Sequence, residues 1–334
     1  MTPRQRIEAV LAGRTPDRVP LSIWLHNFAE EGTPQALAAE TLRLQERFAF
    51  DFLKPQSRAH CFGEMWGQRC APARGPADWP VVERHAVRSA ADLEQIRAVP
   101  ADGALAEQVE AMRLVRRGVG DAVPIVATVF APMMTMALMH EGGAAAALAL
   151  QREAPEPLER ALDAMTTTLA EFTQRAVDAG VDGVFYATTT CNRGQATRTE
   201  YERFHAPFDA RILHAARGGW MNILHICGPA IEAEWFRDAP VPIVSWATTA
   251  GNPDLAQMQA LTGKTVLGGA PGKPQFAAMS AEALRAHVRR SLHERQGQRH
   301  LLGPDCSINP GTPSELIAAV VDEVRAYRPP AAAA

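Results

Sequence analysis

The chain has 334 residues, of which 47% are hydrophobic and 21% charged, and its formal net charge is −3 at pH 7. This composition indicates a globular protein with a full hydrophobic core, and the charge provides no broad basic surface for nucleic acid or an anionic membrane. No apolar run approaches the roughly 20 residues that a membrane-spanning helix needs, and the first residues lack the apolar core of a signal peptide. We therefore expect a cytoplasmic protein with no nucleic-acid or membrane partner.

Eight short runs of β-forming residues alternate with helical segments along the chain. This alternation favours a parallel sheet with helices packed outside it, and eight strands fit a (β/α)8 barrel better than an open sheet. The candidate strands are residues 19–24, 50–54, 124–130, 183–187, 221–226, 242–247, 265–269 and 300–302. The predicted fold is an α/β TIM barrel that forms one domain over residues 1–328.

The segments between and after these strands complete the predicted organisation. The candidate helices are residues 34–48, 157–179, 198–217, 253–261, 281–296 and 313–327. Pro207 is expected to kink or split the third of these helices, because proline removes a backbone hydrogen bond. Residues 61–105 are rich in Pro, Gly and Arg, which indicates an insertion or lid after the second strand. Residues 329–334 are expected to form a disordered tail.

One histidine and two cysteines form a candidate metal site. His225 and Cys227 are two residues apart, so their side chains point to the same side of an extended chain. Cys306 follows the eighth candidate strand, and a barrel would bring all three residues to its C-terminal rim, where barrel enzymes have their active sites. Three such ligands with a fourth position open to water or substrate are typical of catalytic zinc. The sequence therefore predicts Zn²⁺ bound by His225, Cys227 and Cys306.

Six stretches, spread over nearly the whole chain, carry a family resemblance. They are residues 2–6, 17–20, 130–135, 224–228, 268–271 and 303–306, the last of which precedes Thr312-Pro313. In these stretches the chain resembles the uroporphyrinogen decarboxylase superfamily, and within it the zinc-dependent methylcobalamin:coenzyme M methyltransferase-like branch. The resemblance implies a (β/α)8 barrel, zinc held by the three predicted ligands, and methyl transfer to a zinc-activated small thiol. It also implies methylcobalamin as the donor.

The methylcobalamin is expected to come from a partner protein. Corrinoid-binding domains ligate cobalt through an Asp-x-His-x-x-Gly loop, and this chain shows no such loop. A separate corrinoid protein would therefore have to deliver the cofactor.

Two departures from related families bear on the substrate. Uroporphyrinogen decarboxylases have an arginine-containing stretch after the first strand, whereas residues 24–30 here read WLHNFAE. A tetrapyrrole with many carboxylates requires cationic partners, for which arginine is the natural choice, so this departure argues against that substrate. Residues 244–249 contain no Asp or Glu to match the extra carboxylate ligand of cobalamin-independent methionine synthase.

Two alternative functions stay open on the sequence. The first is a metal-free decarboxylase of the uroporphyrinogen type. The second is a non-catalytic homologue that binds a corrinoid or a thiol without turnover.

Five further residues are candidates for contact with the substrate, because they lie near candidate strand ends or in the lid. They are His26, Glu64, Tyr186, Trp246 and Asn309. Cys191 is a candidate fourth ligand, although an ordinary loop cysteine is the simpler interpretation. No catalytic residue beyond the metal ligands is predicted.

Overall fold

Parallel strands paired in chain order form the centre of the molecule. A computed structural model describes residues 1–248 and 251–330. The strands are β1 (Arg69–Cys70), β2 (Val82–Arg84), β3 (Val126–Phe130), β4 (Gly183–Thr188), β5 (Ile223–Ile226), β6 (Ile243–Trp246), β7 (Thr265–Ala270) and β8 (His300–Pro304). Strands β3 to β8 form one sheet in which each strand pairs in parallel with the next, while β1 and β2 form a separate antiparallel pair.

Two extended segments close this sheet into a barrel. Residues 19–25 bond to β8 on one side and to residues 50–54 on the other, and residues 50–54 bond in turn to the start of β3. The bonds run from Ser22 N to Leu302 O (3.1 Å), from Leu302 N to Pro20 O (2.8 Å), from Asp51 N to Leu21 O (2.8 Å) and from Val126 N to Leu53 O (2.9 Å). The predicted (β/α)8 barrel is therefore confirmed.

The first two predicted strands pair only through isolated bridges. These bridges join Leu21 to Leu302, Leu25 to Ile308 and Leu53 to Ile125. Pro20 lies within the first segment and Pro55 directly follows the second, and neither has an N–H group to lengthen the ladders. These two barrel positions are consequently held by few hydrogen bonds each.

Thirteen α-helices occur among the described residues. They are α1 (Pro3–Leu11), α2 (Pro34–Phe48), α3 (Cys61–Glu64), α4 (Gly103–Val119), α5 (Pro132–Met139), α6 (Gly143–Glu153), α7 (Pro155–Asp178), α8 (Arg198–Phe204), α9 (Ala206–Ala215), α10 (Leu255–Thr262), α11 (Gln275–Ala278), α12 (Ala281–Arg295) and α13 (Ser314–Ala326). The predicted break near Pro207 is confirmed, since α8 ends at Phe204 and α9 begins at Ala206. No helix in these ranges is long and apolar enough to cross a membrane.

The predicted insertion, residues 61–105, contains little regular structure. It includes α3, the β1–β2 pair, a 3₁₀ helix at Ala90–Gln95 and the first turn of α4. Its action as a lid stays a prediction, as does the extent of the domain over residues 1–328. Most of the predicted tail, residues 331–334, lies outside the described residues.

Side chains alternate between the barrel interior and the helix-covered exterior. Phe185, Ile223 and Ile243 pack together inside the barrel, whereas Tyr186 and Trp246 pack in the layer between the strands and the outer helices. This alternation follows from the two-residue period of a β-strand. It decides which residues of each strand can face the centre of the rim.

A buried ion cluster ties the N-terminal helix to the barrel. The fully buried Asp51 accepts hydrogen bonds from Arg6 Nη1 (2.5 Å) and Arg18 Nη1 (2.5 Å) and from the backbone N of Leu21 (2.9 Å). The two guanidinium groups compensate the carboxylate charge that burial would otherwise penalise. Asp51, in the second barrel segment (residues 50–54), is therefore bonded both to helix α1 and to the first barrel segment (residues 19–25).

Replacing Asp51 with Asn should destabilise the protein strongly. The change leaves guanidinium charge buried without its carboxylate, so we expect the free energy of unfolding to fall by about 3–5 kcal/mol in a urea titration. The matched control is Glu94→Gln, which breaks the exposed ion pair with Arg160 and should cost less than about 1 kcal/mol. Equal losses in the two variants would contradict a structural role for the cluster.

Candidate metal centre

The barrel brings the three predicted metal ligands together. His225 lies near the C-terminal end of β5, Cys227 directly follows this strand, and Cys306 follows β8. Their ligand atoms all lie within 4.8 Å of one another. A histidine nitrogen and two thiolate sulfurs at this separation suit a tetrahedral zinc ion.

The His225 ring is oriented for metal binding. Its Nδ1 is 3.2 Å from Oγ of Ser245, its register partner on β6, and the ring stacks on Phe185 at a centroid distance of 5.0 Å. The other nitrogen, Nε2, is buried and has no nitrogen or oxygen partner in the part of the chain that the structure describes. Besides the Cys227 thiol, the ring also lowers the pKa of Cys306, so the cysteine sulfur is its polar neighbour here, and a metal ion would give Nε2 a stronger partner.

The two cysteine sulfurs interact directly. The neighbouring thiol of Cys227 lowers the pKa of Cys306 well below its usual range, chiefly by hydrogen bonding to the Cys306 thiolate. The same hydrogen bond, together with burial, raises the pKa of Cys227. Metal ions bind the thiolate form of cysteine and release the thiol protons, so the donor set fits zinc.

A cavity of about 250 Å³ opens beside the three ligands. Aromatic and aliphatic side chains form much of its wall, and several polar groups reach it. The lining residues include Trp24, Phe130, Met134, Leu138 and Phe185 among the apolar side chains, and His26, Lys54, Gln56, Arg58, His60, Lys273 and Ser307 among the polar ones. A fourth ligand position on the ion would face this space.

Of the five predicted substrate contacts, the structure places His26 in this cavity. Its Nδ1 lies 2.8 Å from Oε1 of Glu31, and its ring stacks on Phe28 at 4.7 Å. The imidazole is thus held in one orientation at the cavity wall. This placement is compatible with the predicted role, which stays a prediction.

Tyr186 and Trp246 are not brought to the cavity. Both side chains are fully buried outside the barrel, where Tyr186 Oη donates to Asp209 Oδ1 (2.5 Å) and Trp246 Nε1 donates to the Pro253 carbonyl (2.8 Å). The two-residue period explains this outcome, since Ser245 pairs with His225 and faces inward while Trp246 faces outward.

Three other candidates also lie away from the cavity lining. Glu64 forms an ion pair with Arg58 and borders a different cleft. Asn309 has a buried Oδ1 without a hydrogen-bond partner in the described ranges. Cys191, the candidate fourth ligand, is buried in the outer core with its sulfur 3.8 Å from Thr188 Oγ1, and burial raises its pKa to about 12.

Lys54 and Gln56 line the cavity and were not predicted from the sequence. Lys54 Nζ donates to Gln56 Oε1 (2.9 Å) and lies 4.9 Å from the centre of the Phe185 ring. Burial lowers the pKa of Lys54 to about 8. The available signal was a lysine at the C-terminal end of the second candidate strand, because a charge at that end points to the catalytic rim of a barrel.

Comparison with known proteins agrees with this architecture. The profile of the uroporphyrinogen decarboxylase (URO-D) family matches residues 2–327. The uroporphyrinogen decarboxylase of Syntrophotalea carbinolica is 26% identical over 251 residues, which are 73% of this chain and 71% of that protein. The uroporphyrinogen decarboxylase of Alkalilimnicola ehrlichii is 25% identical over 312 residues, which are 89% of this chain and 82% of that protein.

Solved structures show the same fold at low sequence identity. A methyltransferase from Methanosarcina mazei has a TM-score of 0.83 at 19% identity and covers 97% of this chain and 98% of its own. A B12-independent methionine synthase from Shewanella sp. W3-18-1, in complex with selenomethionine, has a TM-score of 0.58 at 16% identity. The match covers 95% of this chain and 98% of the methionine synthase chain. At these identities the similarity establishes the fold.

Removing the hydroxyl of Ser245 should weaken metal binding. The Ser245→Ala change frees the His225 ring, and loss of such an orienting contact typically lowers metal affinity by about 10–100-fold. Competition with a chromophoric zinc chelator measures this affinity. Ser291→Ala is the matched control, because Ser291 is also buried but donates to Gly269 O. Equal zinc affinity in the two variants would contradict the orienting role.

The Asp209–Tyr186 pair should make stability depend on pH. Burial raises the pKa of Asp209 from 3.8 to about 7, so between these values the folded protein keeps a proton that the unfolded chain has released. Stability from this group therefore falls as pH rises from about 4 to 7. In Asp209→Asn this loss is absent, and its stability relative to wild type should rise by about 2–3 kcal/mol between pH 5 and pH 8.

Urea unfolding at the two pH values measures this difference. Asp121→Asn, at an exposed position, serves as the control, and its free energy of unfolding should differ from that of wild type by the same amount at both pH values. If the difference for Asp209→Asn is also the same at both pH values, Asp209 does not have a raised pKa.

Proposed function

The chain belongs to the uroporphyrinogen decarboxylase family, and we propose that within it this protein is a zinc-dependent methyltransferase. The methyl group moves from methylcobalamin on a separate corrinoid protein to the sulfur of a small thiol. The observation that supports this proposal most is the buried group of His225, Cys227 and Cys306 at the barrel rim, with the Nε2 of His225 free and a cavity beside it. This arrangement has three ligands and one open side, as catalytic zinc sites do.

The chain's own groups suit the activation of a thiol. Zinc, when bound, would lower the pKa of a coordinated thiol so that its sulfur is a thiolate at neutral pH. Ser245 keeps the His225 ring in place, and Cys227 and Cys306 provide the anionic donors. The substrate sulfur attacks the methyl carbon, a sulfur–carbon bond forms, and the electron pair of the cobalt–carbon bond stays with the corrinoid. The thiol proton leaves to solvent before attack.

The size and walls of the cavity support a small acceptor. Its volume of about 250 Å³ is below the range of about 300–1,000 Å³ that is typical of pockets for drug-sized ligands. Apolar side chains such as Phe130, Met134 and Phe185 form part of the cavity wall, where they would displace water from a bound sulfur. A poorly hydrated thiolate is a stronger nucleophile. These features favour a small thiol over a tetrapyrrole.

Exposed hydrophobic side chains at the cavity mouth support the corrinoid partner. Trp79 and Leu138 line the cavity and are 49% and 38% exposed, and Val81, two residues from Trp79, is 63% exposed. In the described ranges the other strongly exposed large hydrophobic residue is Met1. Concentrated exposed apolar surface of this kind marks binding sites. We propose that the corrinoid protein docks over these residues.

The family name makes decarboxylation the second candidate. Its curated relatives are named uroporphyrinogen decarboxylase, and Lys54, Arg58 and Lys273 supply cationic groups to the cavity. Arg58, however, is paired with Glu64, and the arginine-containing stretch of those enzymes is replaced in residues 24–30. If this candidate is correct, the protein converts uroporphyrinogen to coproporphyrinogen in the presence of a metal chelator.

Replacing Cys306 with Ser should abolish both zinc retention and methyl transfer. Wild-type protein should contain one equivalent of zinc, and loss of a direct ligand should lower zinc affinity by more than about 100-fold, beyond the effect of losing an orienting contact. Metal analysis measures the zinc content. Single-turnover mixing of methylcobalamin with a panel of thiols, followed by cobalamin absorbance, measures the transfer.

The control for this variant is Cys70→Ser. Cys70 lies in the β1–β2 pair away from the three ligands, so this variant should keep zinc and activity. Zinc-free wild-type protein from zinc-replete medium would refute the proposal. Zinc-loaded protein that binds thiols but transfers no methyl group in a single turnover would instead support a non-catalytic homologue.

A further inference from the structure

A second cavity lies outside the barrel, between strands β4 and β5 and the helices that cover them. Its volume is about 260 Å³. Its lining residues come from β4, β5, α8, α9, the 3₁₀ helix Ala233–Phe236 and the segment after that helix. None of them lines the cavity beside the candidate metal centre. The proposed function therefore makes no use of this space.

Asp209 contributes a buried carboxyl group to this second cavity. The residue is 7% exposed, and its Oδ1 accepts a hydrogen bond from Tyr186 Oη at 2.5 Å. Its Oδ2 accepts none from the described residues, and no Lys, Arg or His nitrogen in those ranges lies within 4.0 Å of the carboxyl group. Buried carboxylates normally have a cationic partner. A cationic ligand in the cavity would supply the partner that the chain does not.

Aromatic rings form another part of the wall. The ring centres of Tyr201 and Trp235 are 4.8 Å apart, and Phe236 packs edge-on against Tyr201 at 5.4 Å. The guanidinium group of Arg198 lies 5.7 Å from the Tyr201 ring and 5.8 Å from the Trp235 ring, so these rings already contact one cation. The negative faces of several aromatic rings together are a common receptor for substituted ammonium ions.

Acidic groups outnumber basic groups around this cavity. Glu202 and Asp238 line it together with Asp209, whereas Arg198 is the basic residue among the described lining residues. Arg198 Nε is paired with Glu202 Oε1 at 2.7 Å, and Lys264 lies close enough to Asp238 for the two charges to interact. Asp209 is then the carboxyl group left without compensation. The cavity favours a cation over an anion.

We propose that this cavity binds a small organic ammonium ion, with Asp209 as its counter-ion and the rings of Tyr201 and Trp235 against its carbon substituents. A volume of about 260 Å³ suits such a ligand, because it lies below the range of about 300–1,000 Å³ typical of drug-sized ligands. The inference does not rest on the proposed function, since the two cavities share no lining residue. It gives the protein a second ligand site, on the outer face of the strand that carries His225.

Isothermal titration calorimetry of the full chain at pH 8 tests this inference. The probes are choline, propylammonium and 3,3-dimethyl-1-butanol, which is an uncharged isostere of choline. Wild-type protein should bind at least one of the two ammonium ions about 10-fold or more tightly than the alcohol. Choline has no N–H group on its nitrogen and propylammonium has three, so their relative affinities distinguish recognition by the rings from recognition by hydrogen bonds to Asp209.

Two variants should remove the preference for the charged probe. We expect Asp209→Asn and Trp235→Leu each to weaken binding of the preferred ammonium ion by about 10-fold or more, because each removes one of its two attractive partners. Binding of the uncharged alcohol should change little in Asp209→Asn. Trp79→Leu is the matched control, since Trp79 is an aromatic residue of the other cavity, and its affinity for the ammonium ion should equal that of wild type.

Removing the resident cation should have the opposite effect. Arg198→Gln takes a like charge away from the same two rings, so the affinity for the ammonium ion should rise by a few-fold. Arg203→Gln is the matched control. Arg203 belongs to the same helix but lies over Phe204, 5.0 Å from the ring centre, and outside the cavity lining, so this change should leave the affinity as it is.

The affinity should also depend on pH through Asp209. Burial raises the pKa of Asp209 to about 7, so its ionised fraction, and with it the affinity for choline, should fall about 10-fold from pH 8 to pH 6. The neighbouring Tyr186, Tyr201 and Cys191 have raised pKa values and stay neutral over this range. In Asp209→Asn the affinity should be the same at both pH values.

Three results would overturn the inference. The first is a wild-type protein that binds neither ammonium ion more tightly than the alcohol. The second is an unchanged affinity in both Asp209→Asn and Trp235→Leu. The third is an equal loss in Trp79→Leu and Trp235→Leu, which would place the ligand in the other cavity. None of these results concerns zinc or methyl transfer, so the proposed function stands in each case. If Trp235→Leu does not fold, Asp209→Asn and the surface variant Arg198→Gln provide the same comparison.

Discussion

The hydrogen bonds between the first barrel segment and β8 are the constraint on which the site depends. Ser22 N donates to Leu302 O and Leu302 N donates to Pro20 O, which joins the end of the sheet to its beginning. Because the strands are parallel, closure gathers their carboxyl ends at one rim. Cys306 thereby reaches Cys227 across 79 residues of chain, to within 4.8 Å between ligand atoms.

Two sets of buried polar groups at the rim lack hydrogen-bond partners among the described residues. At the candidate metal centre, His225 has a buried Nε2 without a nitrogen or oxygen partner among the described residues, and the Cys227 thiol lowers the pKa of Cys306. On the donor side, Lys54 and Gln56 have N–H groups that no described acceptor uses. Burial makes each of these groups costly when left alone. The cavity borders both kinds of group.

The predicted substrate contacts show how strand periodicity selects residues at a rim. Tyr186 and Trp246 lie at strand ends, as expected, but at outward positions, and their polar groups bond to Asp209 and to the Pro253 carbonyl. Ser245, one residue before Trp246, faces inward and contacts His225. In the β5–β6 register His225 pairs with Ser245, so Ser245 points to the barrel interior like His225, and Trp246, the next residue, points outward. That register depends on pairing between strands, which a single sequence does not specify.

The sequence by itself determined the barrel and pointed to the three residues that the barrel brings together as candidate metal ligands. Alternating strands and helices indicate the fold, and the spacing of His225 and Cys227 follows from local strand geometry. Only the tertiary structure decided which other groups face the cavity. Lys54 and Gln56 lie at the end of the second barrel segment and Lys273 follows β7, and their convergence depends on barrel closure and on the direction of each side chain. These properties arise from contacts between distant residues, which local patterns in the chain do not encode.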